Sequence, residues 1–479
     1  MTLADEIADH DATALVGLVR TRDVSARELT EAAIERAEAR NPALNAIIHP
    51  RYDRALADAA VVRSGPLAGL PIVVKDASIT EAGEPFHEGL QAAKDAGYRA
   101  TTTSWLLERL RAAGCVVIGR TNVPELCTHV TTEPLSHGTT RNPWSLTHTA
   151  GGSSGGSGAA VAAGIVPIAH ASDGGGSIRA PASFCGLFGL KPTRGRFTTG
   201  PDSGEHWAGL STDGFLTTSV RDSALVFDAV AGPANGDPNP APLTYRLTDA
   251  IDVPLGRARI GVRTHGSCGG DPAHPEVDTI VRSVAQLFSD EGHDVNDGSP
   301  SALDEDAAMG HQRTVVGVCV AAEVDQWSRR LGRTIELDEL EPRNRVTVAG
   351  ARRVDGATYV DSFAWLQLWS RRLAEWFIHH DLLITPVVTH PPPRIGELPI
   401  EPTAAQAVQM RKRLGWLLGA WNVTGQPAIS LPGGFTSDGL PIGVHIVAAW
   451  GREDLLVQAA RLIEVARPWP RVAPPTPTA

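Results

Sequence analysis

Predicted strands alternate with predicted helices along most of the chain, and this alternation most limits the folds available to it. The apolar run "GLPIVVKD" predicts a buried strand that ends at Lys75, and the helical pattern "TTTSWLLERLRAAG" is followed by a second strand, "CVVIG". The same order returns later, where "PIGVHIVA" precedes "REDLLVQAARLIEVA". Because such helices cover the faces of a sheet, the sequence predicts an α/β fold with a mixed central β-sheet covered by helices on both faces.

Charge and cysteine content exclude several classes of protein. The 479 residues carry a formal net charge of −11, which disfavours nonspecific binding to nucleic acid. There is no run of eighteen apolar residues, and the opening "MTLADEIADHD" has no apolar signal core. Five scattered cysteines without a Cys-x-x-Cys pair are typical of reduced thiols. We therefore expect a cytoplasmic protein that binds neither nucleic acid nor a membrane.

The sequence contains no complete metal-binding motif. The segment "HEGLQ" begins at His87 like a zinc-protease helix, but Gln91 stands where the second histidine ligand is required. The cysteines do not have the spacing of a zinc site either. We therefore expect neither a metal nor another cofactor.

Two clusters of glycine and serine are the most distinctive part of the sequence. The first, "AGGSSGGSGAAVAAG", spans residues 150–164, and the second, "SDGGGSIR", spans residues 172–179. A flexible linker fits the first cluster poorly, because the run leads directly into small apolar residues that predict a tightly packed helix. A phosphate-binding loop fits neither cluster, since the required glycine spacings are missing. A reactive serine is the remaining interpretation.

A reactive serine can be placed in two ways. The segment "GGSSG" matches Gly-x-Ser-x-Gly, so Ser153 could be the nucleophile of an α/β-hydrolase-like esterase with His170 or His445 as its partner. Alternatively, Lys75 is the base, because burial at the end of an apolar strand lowers the pKa of a lysine. The glycines before Ser177 would then leave backbone N–H groups free to face an oxyanion. The second interpretation uses both clusters and the lysine.

Three segments together resemble the amidase-signature family: "GLPIVVKD", "GGSSGGSGAAVAAG" and "SDGGGSIRAPASFCGLFGLKPTRGR". The 24 positions from Ser153 to Ser177 match the spacing of the family motif, and "NVTGQPAISLPGGFTSDGLPIGVHIV" resembles the closing segment of the family. The resemblance covers essentially the whole chain. It implies a single large amidase-signature domain that hydrolyses an amide carbon–nitrogen bond through a serine acyl-enzyme.

The resemblance also implies a role for each site residue. Ser177 corresponds to the nucleophile, Ser153 to a bridging serine that follows a cis peptide bond, and Lys75 to the general base. Ser153 would relay the proton of Ser177 to Lys75. The oxyanion hole would be formed by backbone N–H groups of Ser177 and of the glycines Gly174, Gly175 and Gly176.

Several nearby residues receive other interpretations. Many relatives carry threonine or isoleucine where this chain has Gly174, and often glutamine where it has His445, to which we assign no role. Asp173 and Arg179 are expected to pair and hold the loop rather than take part in the chemistry. Cys319, in "VVGVCVAAEV", is a candidate for lining the substrate pocket.

The resemblance divides residues 1–479 into consecutive segments of one domain. N-terminal helices are expected in residues 1–65 and the signature core with the catalytic residues in 66–230. A variable substrate-pocket region follows in 231–421. Closing strands and a helix are expected in 422–466, and a loose tail in 467–479.

The substrate is expected to be a small molecule, either an amide or a carbamate. Candidates are small uncharged secondary amides, anilides, amide oligomers and carbamates, the last of which would make the protein a urethanase. Two alternatives remain open: an ammonia-producing glutaminase subunit of a tRNA amidotransferase, and the esterase with Ser153 as nucleophile. We expect a monomer or a homodimer.

Overall fold

A mixed sheet of eleven strands runs through the protein. The computed structural model describes residues 10–61, 64–268, 270–399 and 416–474, together with the single positions 401, 406, 410 and 414. The strands are β1 (Ile47–Pro50), β2 (Pro71–Lys75), β3 (Val116–Thr121), β4 (Arg141–Asn142), β5 (Ser145–Thr149), β6 (Ile168–Asp173), β7 (Phe188–Lys191), β8 (Thr212–Thr217), β9 (Arg259–Val262), β10 (Asp294–Asp297), β11 (Leu382–Pro386), β12 (Ala428–Phe435) and β13 (Pro441–Ala448).

Fifteen α-helices lie within the described ranges. They are α1 (Ala12–Thr21), α2 (Ala26–Leu44), α3 (Tyr52–Ala60), α4 (Gln91–Asp95), α5 (Trp105–Ala112), α6 (Gly155–Ala162), α7 (Arg179–Cys185), α8 (Val220–Val230), α9 (Leu247–Ala250), α10 (Pro275–Asp290), α11 (Ala307–Leu331), α12 (Pro342–Ala351), α13 (Gly356–Trp376), α14 (Gly419–Thr424) and α15 (Glu453–Ala466). None of the helices in the described part of the chain is both long enough and apolar enough to cross a membrane.

The strand order across the sheet is β1-β3-β2-β6-β8-β7-β12-β13-β11-β9-β10, and β4 and β5 form a separate pair. Strand β2 runs parallel to β3 and β6, and β9 runs parallel to β10 and β11. The other neighbours in the large sheet are antiparallel. The predicted α/β fold with a mixed central sheet is therefore confirmed.

Both faces of the sheet are covered, as strand β2 shows. Successive side chains of a strand point to opposite faces. Ile72 and Val74 pack in one apolar cluster with residues of α1, α5, α8 and α10. Val73, between them, packs in a second cluster with residues of α2, α3 and α6. Because both faces are covered, the strand is apolar up to Lys75.

The helix after the first glycine cluster packs as the sequence predicts. All eight residues of α6 are buried. A side chain at Gly156 would place its Cβ 2.4 Å from the backbone nitrogen of Asn122 and 2.7 Å from the carbonyl oxygen of Ala46. Only a glycine allows this approach, so the small residues bring α6 directly against the backbone next to the end of β3.

The two ends of the described chain also make specific contacts. Ser25 and Glu28 form the capping box at the start of α2. Beyond α15, the indole N–H of Trp469 donates to the carbonyl oxygen of Thr218. The backbone N–H of Ala473 donates to the carbonyl oxygen of Ala162. The rest of the predicted loose tail, residues 475–479, lies outside the described residues.

Candidate active site

Lys75 lies at the carboxyl end of β2 and is fully buried. Its Nζ is 2.7 Å from the Oγ of Ser153 and 2.9 Å from the Oγ of Ser172. Burial lowers the pKa of the Lys75 ammonium, against the opposing effect of nearby acidic groups such as Asp213 and Asp173. The position therefore favours an amine that loses its proton more readily than an exposed lysine does.

Ser153 lies in the turn that precedes α6. The peptide bond between Gly152 and Ser153 is cis, as the family resemblance implies. Ser153 is buried, and its hydroxyl contacts Lys75. The neighbouring hydroxyl of Ser154 donates to the carbonyl oxygen of Ser172 at 3.2 Å. The turn is thus attached to the end of β6, and the second glycine cluster begins at that end.

A buried ion pair holds the loop that leads to Ser177. Both oxygens of Asp173 accept hydrogen bonds of 2.9 Å from the guanidinium of Arg179. Asn422 donates to Asp173 and accepts from Arg179, at 2.9 Å and 2.7 Å. Although burial by itself would raise it, the Arg179 guanidinium holds the pKa of Asp173 well below its usual range. The predicted pairing of Asp173 with Arg179 is confirmed.

His445 belongs to the same buried network. Its Nε2 lies 3.1 Å from a guanidinium nitrogen of Arg179, and its Nδ1 lies 2.9 Å from the hydroxyl of Thr385. No role was predicted for this histidine from the sequence. In the structure it contacts the Arg179 side of the ion pair. Its position links strand β13 to the loop that carries Ser177.

The backbone N–H groups of the glycine run differ in what they contact. Gly176 donates its N–H to Asp173 at 2.6 Å, so this donor already has an acceptor. Within the described residues, the N–H groups of Gly174, Gly175 and Ser177 have no acceptor. These three remain available to a bound ligand.

Gly174 has no room for a side chain. Its Cβ would lie 2.7 Å from the Cε3 of Trp207, so the indole occupies the space that a side chain would take. At Gly175, by contrast, a Cβ would meet nothing within 4 Å. The absence of a side chain at Gly174 therefore goes together with the position of Trp207.

Ser153, Ser172 and Ser177 open onto one cleft with an empty volume of about 400 Å³. The residues that line it are Ala77, Ser78, Glu88, Leu126, Cys127, Ser153, Ser172, Gly174, Ser177, His206, Trp207, Ser211 and Glu323. The three predicted catalytic residues thus meet at one place, with Lys75 directly behind Ser153.

Acidic groups and a thiol form part of the cleft wall. Burial, and then the neighbouring Glu88, raise the pKa of Glu323 well above its usual range. The indole of Trp207 lies 3.4 Å from Glu323, and that of Trp327 donates to Glu88 at 2.7 Å. Burial raises the pKa of the Cys127 thiol to about 11. The wall therefore places hydrogen-bonding side chains beside the indole.

Residues 28–457 match the model of the Amidase family. The chain belongs to the amidase family. This amidase is 41% identical over 470 residues to the 6-aminohexanoate-cyclic-dimer hydrolase of Pseudomonas sp. (strain NK87), across 96% of this chain and 95% of the relative. It is an amidohydrolase, and its reaction is the hydrolysis of an amide carbon–nitrogen bond. The predicted enzyme class is confirmed.

Solved structures show the same likeness. The amidase resembles the structure of 6-aminohexanoate cyclic dimer hydrolase complexed with substrate, with a TM-score of 0.92, 40% identity, and coverage of 98% of this chain and 99% of the other. A bacterial aryl acylamidase of the amidase-signature family gives a TM-score of 0.86 at 26% identity, with 97% of each chain covered. The predicted single α/β domain is thus the fold of this family.

Sequence reasoning overlooked several residues of the cleft. Ser172 is the first residue of the second glycine–serine cluster, so the sequence already offered its hydroxyl as a candidate site group. Glu88 and Cys127 carry no local signal, because they reach the cleft only through the path of the chain. Cys319, the predicted pocket residue, lies one helical turn before Glu323 on α11 and is not among the described residues that line the cleft.

Proposed function

We propose that this amidase uses Ser177 as its nucleophile, with Ser153 and Lys75 as the proton relay. The observation that carries the proposal is the 2.7 Å contact between Lys75 and Ser153 behind a cleft that Ser177 also lines. Ser177 Oγ attacks the amide carbonyl carbon, its proton passes to Ser153, and the proton of Ser153 passes to the neutral amine of Lys75. A hydroxyl within hydrogen-bond reach of a neutral amine has the geometry that this transfer needs.

The negative charge that develops on the substrate carbonyl oxygen would be stabilised by backbone N–H groups of the glycine run. The N–H groups of Gly174, Gly175 and Ser177 are the proposed donors, since each lacks an acceptor in the described part of the chain. Gly176 would act through the shape of the loop, because its own N–H is held by Asp173. The carbon–nitrogen bond then breaks as the relay returns a proton to the leaving amine. Water attacks the resulting ester through the same relay and releases the acid.

The alternative with Ser153 as an esterase nucleophile lacks its histidine. His170 lies 3.2 Å from the carboxylate of Asp213, and His445 contacts Arg179 and Thr385. Among the described residues, neither imidazole is hydrogen-bonded to Ser153. The nitrogen that contacts Ser153 belongs to Lys75. The geometry therefore favours the lysine-based interpretation.

The proposed substrates are uncharged secondary amides, including cyclic or linear amide oligomers. The relative acts on a cyclic dimer of 6-aminohexanoate, as its name states. In this chain Glu323, whose pKa is raised by burial, and the indole of Trp207 offer a partly apolar, hydrogen-bonding wall to such a substrate. We also propose activity on carbamates, whose carbonyl carbon can be attacked by Ser177 in the same way.

The test is a substrate panel with the purified single chain. It compares the cyclic 6-aminohexanoate dimer, short linear amides, an anilide, a carbamate and the corresponding ester, with Ser177→Ala as the control. We expect hydrolysis of secondary amides by the wild type and none by the control. Absence of amide hydrolysis, with release of ammonia from glutamine when a partner subunit is added, would favour the amidotransferase alternative.

A further inference from the structure

Three histidines from distant parts of the chain meet near Asp76, the residue that follows the end of β2. His49 belongs to β1, His87 precedes α4, and His137 lies in the loop before β4. One ring nitrogen from each lies within 4.8 Å of the other two. In the described part of the chain, no other group of three or more histidine, cysteine or acidic side chains has ligand atoms this close together. The imidazoles are also in ring contact, with centroids 4.6–5.4 Å apart.

The spacing fits a shared metal ion. The Nδ1 of His87 lies 3.2 Å from the Nε2 of His137. Two imidazole ligands on one tetrahedral zinc ion are about 3.3 Å apart, because each Zn–N bond is about 2.0–2.1 Å long. The ligand nitrogen of His49 lies within 4.8 Å of the other two, so binding of an ion would draw the His49 ring toward them. Imidazole ligands favour ions such as zinc over calcium or magnesium.

Two ring nitrogens of the cluster are left without a protein partner. The Nε2 atoms of His49 and His87 are buried and have no hydrogen-bond partner in the described structure; that of His49 would be the third ligand nitrogen, whereas His87 would bind the ion through its Nδ1. Buried polar atoms are nearly always paired, so such atoms need an explanation. His87 itself is only 5% exposed. His49 and His137 are partly exposed, which provides a path for an ion from solvent.

A buried carboxylate supports the cluster from behind. Asp76 accepts hydrogen bonds from Arg120 and from the backbone N–H of His87, and it lies 3.8 Å from the Nε2 of His49. Asp76 therefore holds the backbone of His87 in place and puts a buried carboxylate beside the ring of His49. The residues thus include both the nitrogen ligands and a second group that fixes their arrangement.

We propose that His49, His87 and His137 form a binding site for a divalent transition-metal ion of the zinc type, separate from the serine chemistry. The incomplete motif "HEGLQ" did not reveal it, because the other two ligands come from different segments rather than from the next turn of a helix. The three histidines leave one position of a tetrahedral ion for water. The ion would join β1 to the segments that carry His87 and His137.

The test uses the full-length untagged enzyme, stripped of metal with a chelator and titrated with Zn²⁺ against a chromophoric chelator. We expect one ion per chain with a dissociation constant below about 0.1 mM. His137→Gln and, separately, His49→Gln should each weaken binding by at least about tenfold. His379→Gln, which removes an exposed histidine outside the cluster, is the matched control and should leave binding unchanged.

Cobalt provides the second readout, which does not depend on the variants folding well. Bound Co²⁺ should give the visible absorption of a tetrahedral nitrogen site without thiolate charge-transfer bands. Failure of the wild type to bind zinc in this range would overturn the proposal. Thiolate bands would also overturn it, as would unchanged affinity in both folded cluster variants, because the ion would then be held elsewhere.

Discussion

The Nζ of Lys75 lies 2.7 Å from the Oγ of Ser153, although 78 positions separate the two residues in the sequence. Lys75 ends a strand whose side chains are buried on both faces, and Ser153 lies in a turn fixed against the end of β6. The contact therefore depends on the central sheet and not on a flexible surface loop. Both groups are removed from water, which strengthens the electrostatic interaction between them.

Replacing Lys75 by methionine should remove most activity while the fold is kept. Methionine keeps the length and apolar stem of the side chain but cannot accept the proton of Ser153. We expect kcat to fall by about 10²- to 10⁴-fold, which is the usual contribution of a positioned base. Amide turnover measures this loss, and circular dichroism with thermal melting checks the fold. A kcat close to that of the wild type would contradict the role of Lys75.

Activity should rise with pH as Lys75 loses its proton. Burial lowers the pKa of this ammonium, so the active neutral form should appear at lower pH than it does for an exposed lysine. Below the lowered pKa the lysine is charged and cannot accept a proton, so kcat/KM should decrease there. A pH–rate profile of the wild type measures this decrease of kcat/KM on the acidic side. The residual activity of Lys75→Met should not show this acidic decrease. The same decrease in that variant would mean that another group causes it.

The two serines should differ in their reaction with a covalent probe. A fluorophosphonate should label Ser177, since this residue is the proposed nucleophile and lies next to the proposed oxyanion donors. Ser177→Ala should lose labelling completely, whereas Ser153→Ala should only react more slowly, because water can replace the relay. Peptide mapping by mass spectrometry locates the label. Modification of Ser153 in the wild type would instead support the esterase interpretation.

Gly174→Ala should damage the cleft more than Gly175→Ala does. A Cβ at Gly174 lies 2.7 Å from Trp207, but one at Gly175 meets nothing within 4 Å. We expect the first substitution to lower kcat/KM by about tenfold or more, corresponding to about 1.4 kcal/mol, and the second to change it much less. Combining Gly174→Ala with Trp207→Leu should recover part of the loss. The prediction would be contradicted if the two alanine variants lost the same amount of activity. It would also be contradicted if the effects of Gly174→Ala and Trp207→Leu on kcat/KM simply added in the double variant.

Asn422→Ala should destabilise the protein and slow the reaction together. The substitution leaves buried groups of Asp173 and Arg179 with fewer partners, which typically costs about 1–3 kcal/mol. Urea unfolding measures the stability, and kcat reports the position of the Ser177 loop. Asn239→Ala, at an exposed asparagine, is the matched control. Wild-type stability in Asn422→Ala would show that water replaces the amide without cost.

Local sequence was sufficient to predict the main elements and the central residues of the site. The apolar run before Lys75 predicted β2, the small residues after Ser153 predicted the packed helix α6, and the alternation of elements predicted the mixed sheet. The family resemblance then named Lys75, Ser153 and Ser177, whose catalytic roles stay predictions until the variants are measured. These features were accessible because periodicity, residue size and motif spacing act over short stretches of chain.

Only the tertiary structure showed which distant groups share an environment. Asn422 joins Asp173 from 249 positions away, Trp207 fills the space above Gly174, and Glu323 comes close to Glu88 from a different element. None of these pairs is marked by spacing, because burial and the path of the chain bring them together. Sequence fixes which groups a chain carries, whereas the pKa and hydrogen bonding of each group depend on the neighbours that folding places beside it.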